Sequence, residues 1–168
     1  VAQLSRAIAR QMGKTPEYVQ AINIGALLHD IGKIAVPADV LTNPGKLNHL
    51  EFDLIKTHTE TGYEILKHIN FGWPIAEVAL QHHERVDGTG YPYGIKGEKI
   101  NEMAKIVAVA DVTEAMSNDR PYRKGLGFSR AHDFLVEESG KSFDRGIVNS
   151  CLQVFANGFV FNLETDDN

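Results

Sequence analysis

Apolar residues recur along most of this chain at three- and four-residue intervals, the spacing that gathers them on one face of an α-helix. Leu4, Ile8 and Met12 form such a face, predicting a first helix over residues 1–12 that Gly13 stops. Thr15-Pro16-Glu17 then offers an N-cap, a proline for the first helical position and an acid for the first turn. Val19, Ile22, Ala26, Leu27 and Ile31 line the face of the second helix, and Gly32 marks its end. Residues 35–46, with Pro37 and Asn43-Pro44-Gly45, read as a loop. Asn48 and Glu51 stand as a capping pair for the next helix, His58 follows, and Ile65, Leu66 and Ile69 continue a helical face.

Phe71-Gly72-Trp73-Pro74 breaks the pattern, and Pro74 opens a helix that reaches His82-His83. Residues 85–100 hold Gly88, Gly90, Pro92, Gly94 and Gly97, a density that predicts an ordered loop or lid. A long helix is expected over residues 101–117. Its run Ile106-Val107-Ala108-Val109-Ala110 is β-branched, but it sits inside a longer helical stretch, so no strand is expected. Two more helices are predicted near 129–139 and 144–158, with Ser129 and Asp144 as N-caps. The pattern predicts an all-α fold, a compact single-domain bundle of about seven helices. The domain is expected over residues 1–160, with 161–168 as a frayed tail.

Composition narrows the partners. With 43% apolar and 23% charged residues the chain is ordinary for a globular domain. Its formal net charge of −5 argues against a nucleic-acid polymer as partner, which needs a basic surface. An anionic small molecule stays admissible, because bound divalent cations reverse the sign locally. Cys151 is the only cysteine, which excludes an internal disulfide and a thiolate metal cage and suits a reducing, cytoplasmic setting. There is no secretory signal and no apolar run long enough to span a membrane. The chain opens at Val1, already inside a helical pattern, and so reads as an excised domain with something ahead of it in the parent protein.

Six residues carry the candidate chemistry: His29, Asp30, His58, His82, His83 and Asp111. Each lies in or beside an apolar helical stretch, where an unpaired imidazole or carboxylate is costly to bury. Singly each has a plain structural reading: a helix-end His-Asp pair, a capping histidine, a buried salt bridge. Asp111 is the most telling, because it interrupts the apolar run 106–112 and needs a cation or several donors there. Two adjacent pairs and two single residues facing one centre would hold two metal ions. Histidine and aspartate without cysteine favour iron, manganese, nickel or zinc. A two-metal site activates a water and neutralises phosphate oxygens during in-line attack, which points to phosphate hydrolysis. Lys33, Arg120 and Arg123 are candidates to hold substrate phosphates, arginine being suited to bidentate contact.

Together these residues resemble the HD-GYP family. The matching segments are Leu27-Leu28-His29-Asp30-Ile31-Gly32-Lys33-Ile34 with Val36-Pro37, then Pro44-Gly45-Lys46-Leu47, then His58 with Gly62. His82-His83-Glu84-Arg85-Val86-Asp87-Gly88-Thr89-Gly90-Tyr91-Pro92 follows, then Ala108-Val109-Ala110-Asp111, Asp119-Arg120-Pro121-Tyr122-Arg123 and Phe143-Asp144. The similarity runs in order over nearly the whole chain, and a Gly-Tyr-Pro loop beside a double histidine is highly specific.

The resemblance implies an HD-type helical fold and hydrolysis of bacterial cyclic dinucleotides, chiefly cyclic di-GMP, to linear pGpG or GMP. It implies His29, Asp30, His58, His82, His83 and Asp111 as ligands of two or three divalent ions, iron or manganese foremost and nickel or zinc as alternatives. Asp30 would bridge the metals. Lys33 would contact a phosphate or the attacking water, and either a metal-bound water or Lys33 could serve as the general acid. Gly90, Tyr91 and Pro92 would shape the substrate groove, with Arg120 and Arg123 near the phosphate or guanine region. A further histidine of the family's first helix would lie upstream of Val1. Glu114 stands where an aspartate is common, and Val86 where a tryptophan is common. The implied partners are an N-terminal sensor or receiver domain and GGDEF-type cyclases. Two rival readings remain open. One is an HD-type phosphohydrolase for a mononucleotide or a mixed cyclic dinucleotide. The other is a catalytically weak module that senses nucleotide or docks a partner.

Overall fold

The computed structural model describes residues 1–43, 45–117 and 128–161. Among them are nine α-helices, two 3₁₀ turns and no strand beyond an isolated bridge between Ser139 and Phe143. Helices α1 (Ala2–Gln11) and α2 (Pro16–Leu28) are joined by a tight turn through Gly13, which takes a positive φ of 72°. Thr15 Oγ1 accepts a hydrogen bond from Tyr18 N and Pro16 opens α2, as the sequence pattern predicts. A 3₁₀ turn (Ile31–Ala35) follows, then the one-turn helix α3 (Ala38–Leu41). Thus the segment 35–46, expected as a loop, carries a short helix, started where Pro37 fixes the backbone.

Asn48 and Glu51 form the full reciprocal capping box at the head of α4 (His49–Lys56). The chain breaks at Thr57, whose hydroxyl bonds back to the Leu54 carbonyl, and restarts as α5 (His58–Leu66). This break makes His58 the first residue of a new helix. Helix α6 (Ile75–Gln81) leads to the double histidine, and the loop of residues 82–100 leads to α7 (Glu102–Ser117).

Helix α7 buries Met103, Ala104, Ile106, Val107, Ala108, Val109, Ala110 and Thr113, so it is apolar nearly all round, as a central helix must be. Leu4, Ile8, Ile22, Ile75, Val78 and Ile147 pack around it in one continuous core. Helices α8 (Phe128–Glu138) and α9 (Arg145–Ala156) close the bundle. Asp144 caps α9 through Gly146 N and Ile147 N. Ser129 lies inside α8 rather than at its cap, because the helix already includes Phe128, whose ring stacks on Phe155 at 3.9 Å. The count exceeds the expected seven because the segment 35–66 divides into three short helices. No helix among the described residues is long and apolar enough to cross a membrane.

Candidate metal centre

Three helix ends and one helix middle converge. His29 caps the C-terminus of α2, and Asp30 follows it into the 3₁₀ turn. His58 opens α5, His82 ends α6 with His83 next to it, and Asp111 projects from the middle of α7. Helix termini suit this work: the chain turns there, so a side chain can point at a common centre while the helix body stays in the core.

The six residues come together around the Asp30 carboxylate. Its Oδ1 lies 3.3 Å from His58 Nε2 and 3.8 Å from His82 Nε2. Its Oδ2 lies 3.3 Å from His29 Nε2 and 2.6 Å from Lys33 Nζ. Asp111 Oδ1 stands 3.9 Å from the same His29 nitrogen. Donor atoms of Asp30, His58, His82 and His83 all lie within 4.8 Å of one another, a cluster compact enough to hold a metal ion after small side-chain shifts.

Three of the imidazoles are held the same way. His29 Nδ1 sits 2.6 Å from the Ala26 carbonyl, His58 Nδ1 2.6 Å from Ile55 O, and His82 Nδ1 2.9 Å from Ala79 O. Each of these carbonyls accepts only if Nδ1 carries the proton, which leaves Nε2 as a lone-pair donor aimed inward. His29 Nε2 and Asp30 Oδ1 are buried without a hydrogen-bond partner among the described residues. Orphaned buried atoms of this kind are costly, and a cation between them removes the cost. The residues therefore fit divalent metal ions, and the donors are nitrogen and hard oxygen.

The electrostatics agree. Burial pushes the pKa of His58 down and that of His82 far down, and it brings His83 to about 3, so these rings are neutral and free to ligate. Burial alone would raise Asp30, but His29 and Lys33 beside it override that and hold its carboxyl far below the ordinary range. Burial likewise opposes the charge on His29, but Asp30 and Asp111 outweigh it and raise its pKa. The centre thus keeps its carboxylate ionised.

Beside it, the loop after His83 is fastened by a residue that sequence reasoning passed over. Glu84 is buried, and its two carboxylate oxygens accept from Tyr93 N at 2.8 Å and Ile95 N at 3.1 Å. Gly90 lies so close beneath that a Cβ would meet His83 O at 2.4 Å and Arg85 N at 2.5 Å. Tyr91, joined to Pro92 by a cis peptide, stacks on the His83 ring at 4.7 Å, and its N–H donates to the His83 carbonyl at 3.2 Å. The only hint of Glu84 in the sequence is a carboxylate placed between a double histidine and a Gly/Pro-rich stretch. Arg120 and Arg123, expected near the substrate, lie outside the described residues, as does Pro44.

The sequence model of the HD domain family matches residues 1–147. This chain belongs to the HD domain family. It is similar to RpfG of Xanthomonas campestris pv. campestris, a cyclic di-GMP phosphodiesterase response regulator, with 41% identity over 158 residues. That match covers 91% of this chain and 41% of the relative. It is also similar to the 3'3'-cGAMP-specific phosphodiesterase 1 of Vibrio cholerae serotype O1, with 36% identity over 138 residues, 82% of this chain and 32% of that protein. Its fold resembles that of Bd1817, an HDG"Y"P protein from Bdellovibrio bacteriovorus, at a TM-score of 0.73 and 22% identity, covering 92% of this chain and 50% of the other. The chain therefore spans less than half the length of either curated relative. In this HD domain the His29-Asp30 doublet sits at the junction of α2 and the 3₁₀ turn, where the Asp30 carboxylate faces His29 through one oxygen and His58 and His82 through the other.

Proposed function

We propose that this HD domain hydrolyses the phosphodiester bonds of cyclic di-GMP, to linear pGpG or on to GMP. In this reading His29, Asp30, His58, His82, His83 and Asp111 hold two divalent metal ions. The observation that carries the reading is the split of the Asp30 carboxylate, with Oδ1 turned to His58 and His82 and Oδ2 to His29. A carboxylate divided in this way suits a bridge between two cations. Ions bound there supply an activated water and neutralise charge on the phosphate oxygens.

The chain's own residues do the rest. The Nδ1–H bonds of His29, His58 and His82 to backbone carbonyls fix ring orientation before any ligand arrives. Lys33 pairs with Asp30 Oδ2, and its ammonium is half exposed, where it can receive a phosphate oxygen or give a proton to the leaving oxygen. Tyr91, between the closely packed Gly90 and Pro92, forms one wall of the groove. Arg120 and Arg123 are assigned to phosphate contact on sequence grounds alone.

The donor set favours iron or manganese, with nickel or zinc next. By the family resemblance a first-helix histidine would complete the first metal site, and a glutamate in that helix would support a third ion. The catalytic unit is assigned to residues 1–160. RpfG is a response regulator, which supports a receiver or sensor domain as the natural neighbour in the parent protein. A bacterial, cytoplasmic setting and GGDEF-type cyclases as docking partners rest on the family resemblance alone.

Elemental analysis and product chromatography on the purified domain test this together. Two ions per chain and conversion of cyclic di-GMP are expected, and His29→Ala or Asp30→Ala should abolish both. Hydrolysis that persists in a metal-free variant overturns the mechanism. The similarity to a cGAMP-specific enzyme favours one second reading, a mixed cyclic dinucleotide as substrate. Comparing kcat/KM for cyclic di-GMP, 3'3'-cGAMP and mononucleotides separates the two.

A further inference from the structure

The geometry points to a second nucleotide seat beside the metal centre: the cleft between α4 and the loop after His83 takes the non-reacting nucleotide of a cyclic dinucleotide. This rests on the phosphodiesterase reading above and deepens it. The cleft encloses about 400 Å³, within the usual range for small-molecule sites. Phe52, Lys56, His83, Arg85, Gly90 and Tyr91 line it.

His83 belongs both to the cluster of metal-competent donors and to this lining. Its ring stacks on Tyr91, whose ring meets the edge of Phe52 at 6.4 Å. A row of π-surfaces therefore leads away from the centre. Phe52 and Lys56 are four residues apart on α4 and share one face, and the Lys56 ammonium lies 4.7 Å from the Phe52 ring centroid. Phe52 remains 44% exposed, although nothing in the core needs it there. Such a ring is a platform for a purine base, since every base has a face to stack.

The charge is right for the rest of the nucleotide. Among the described residues no carboxylate lines the cleft, and two cations do, in a chain whose net charge is −5. Arg85 is committed to the floor, bonding the carbonyls of His82 and Glu84 and lying over Phe143. Besides its place over the Phe52 and Tyr91 rings, Lys56 makes an exposed pair with Asp53 at 2.8 Å, a weak interaction that a phosphate can displace. A substrate with one phosphate at the cluster and a second nucleotide tethered to it covers both places. A small diester reaches only the first.

The test uses Phe52→Ala and Lys56→Met in the metal-loaded protein, assayed on cyclic di-GMP and on bis(p-nitrophenyl) phosphate, a diester without bases. The ratio of kcat/KM for cyclic di-GMP to that for the small diester should fall about 10-fold in each variant. Calorimetric Kd for the bisphosphorothioate analogue of cyclic di-GMP, which resists cleavage, should rise by a similar factor. Equal effects on both substrates, or an unchanged Kd, overturn the cleft as a nucleotide seat. If the wild-type protein cleaves neither substrate, the phosphodiesterase reading fails separately. The cleft then stands if the variants weaken binding of the analogue and falls if they do not.

Discussion

Gly32 lies directly against the backbone of His58: a Cβ built on Gly32 would sit 1.9 Å from the His58 carbonyl oxygen and 2.5 Å from Gly62 N. The 3₁₀ turn behind Asp30 is thereby pressed onto the first turn of α5, backbone to backbone. That contact sets how near the Asp30 carboxylate stands to the His58 ring. Neither residue can move away alone, because His58 is fully buried and its Nδ1 is tied to Ile55 O.

Gly32→Ala should therefore act on both stability and the centre. The obstruction is backbone, so no side-chain rotation relieves it. Overpacking of this kind costs about 1–3 kcal/mol, more where backbone must shift. The variant should melt at lower temperature and bind less metal per chain. A Gly32→Ala protein with unchanged melting temperature and full metal content would show that the turn is free to retreat.

The loop carrying Tyr91 depends on Glu84 in a graded way. Glu84→Ala leaves the part-buried donors Tyr93 N and Ile95 N without their acceptor, and because water reaches this loop each loss should cost less than the roughly 1–3 kcal/mol of a fully buried donor. Glu84→Gln keeps one acceptor oxygen and turns an NH2 towards the other donor, so it should lose about half as much. Amide hydrogen exchange at Tyr93 and Ile95 should quicken in the order wild type, Gln, Ala, with KM for cyclic di-GMP rising in the same order. Identical exchange in all three proteins would mean that the loop is held by something other than Glu84.

Much of this arrangement was legible beforehand because its signals are local. The capping box of Asn48 and Glu51, the Thr15-Pro16 start and the Asp144 cap each act within one helical turn. The apolar continuity of residues 103–110 marked a central helix, and the two histidine-bearing doublets fell at helix ends where the periodic pattern stopped. What stayed hidden depends on segments remote in sequence. Gly32 looked like a helix terminator, and its role appears only when α5 is laid against it. Glu84 reaches nine and eleven residues ahead to backbone atoms, which no residue pattern marks. The break at Thr57 and the helix over Ala38–Leu41 lie in short segments that bury little, where periodicity carries the weakest signal.

Cys151 offers a check on the core itself. Its side chain is fully buried beneath Thr113, and burial pushes its thiol up to about 12. The thiolate is the reactive form, and an unperturbed thiol titrates near about 8.5. At pH 8 the native protein should resist iodoacetamide for hours, and the same protein in urea should react within minutes. Modification in step with global unfolding is expected. Rapid labelling of the folded protein would place α9 further from α7 than the structure has it.

Asp30 and Lys33 are joined at 2.6 Å, yet their removal should have opposite signatures. The pair is partly solvated, with side-chain exposures of 33% and 40%, and such ion pairs contribute only about 0–1 kcal/mol to stability. Lys33→Met should therefore leave the melting temperature and the metal content close to wild type. If its ammonium meets a phosphate or leaving oxygen, kcat should nevertheless fall by about 10²-fold or more, with the loss larger in kcat than in KM. Asp30→Asn removes the one charge that faces His29 on one side and His58 and His82 on the other. Metal content should then collapse and hydrolysis with it, even though the amide is nearly isosteric. Loss of metal in Lys33→Met would make Lys33 a support for Asp30 rather than a contact to substrate. Full metal occupancy in Asp30→Asn would mean that the imidazoles alone hold the ions, and that the split carboxylate is not their bridge.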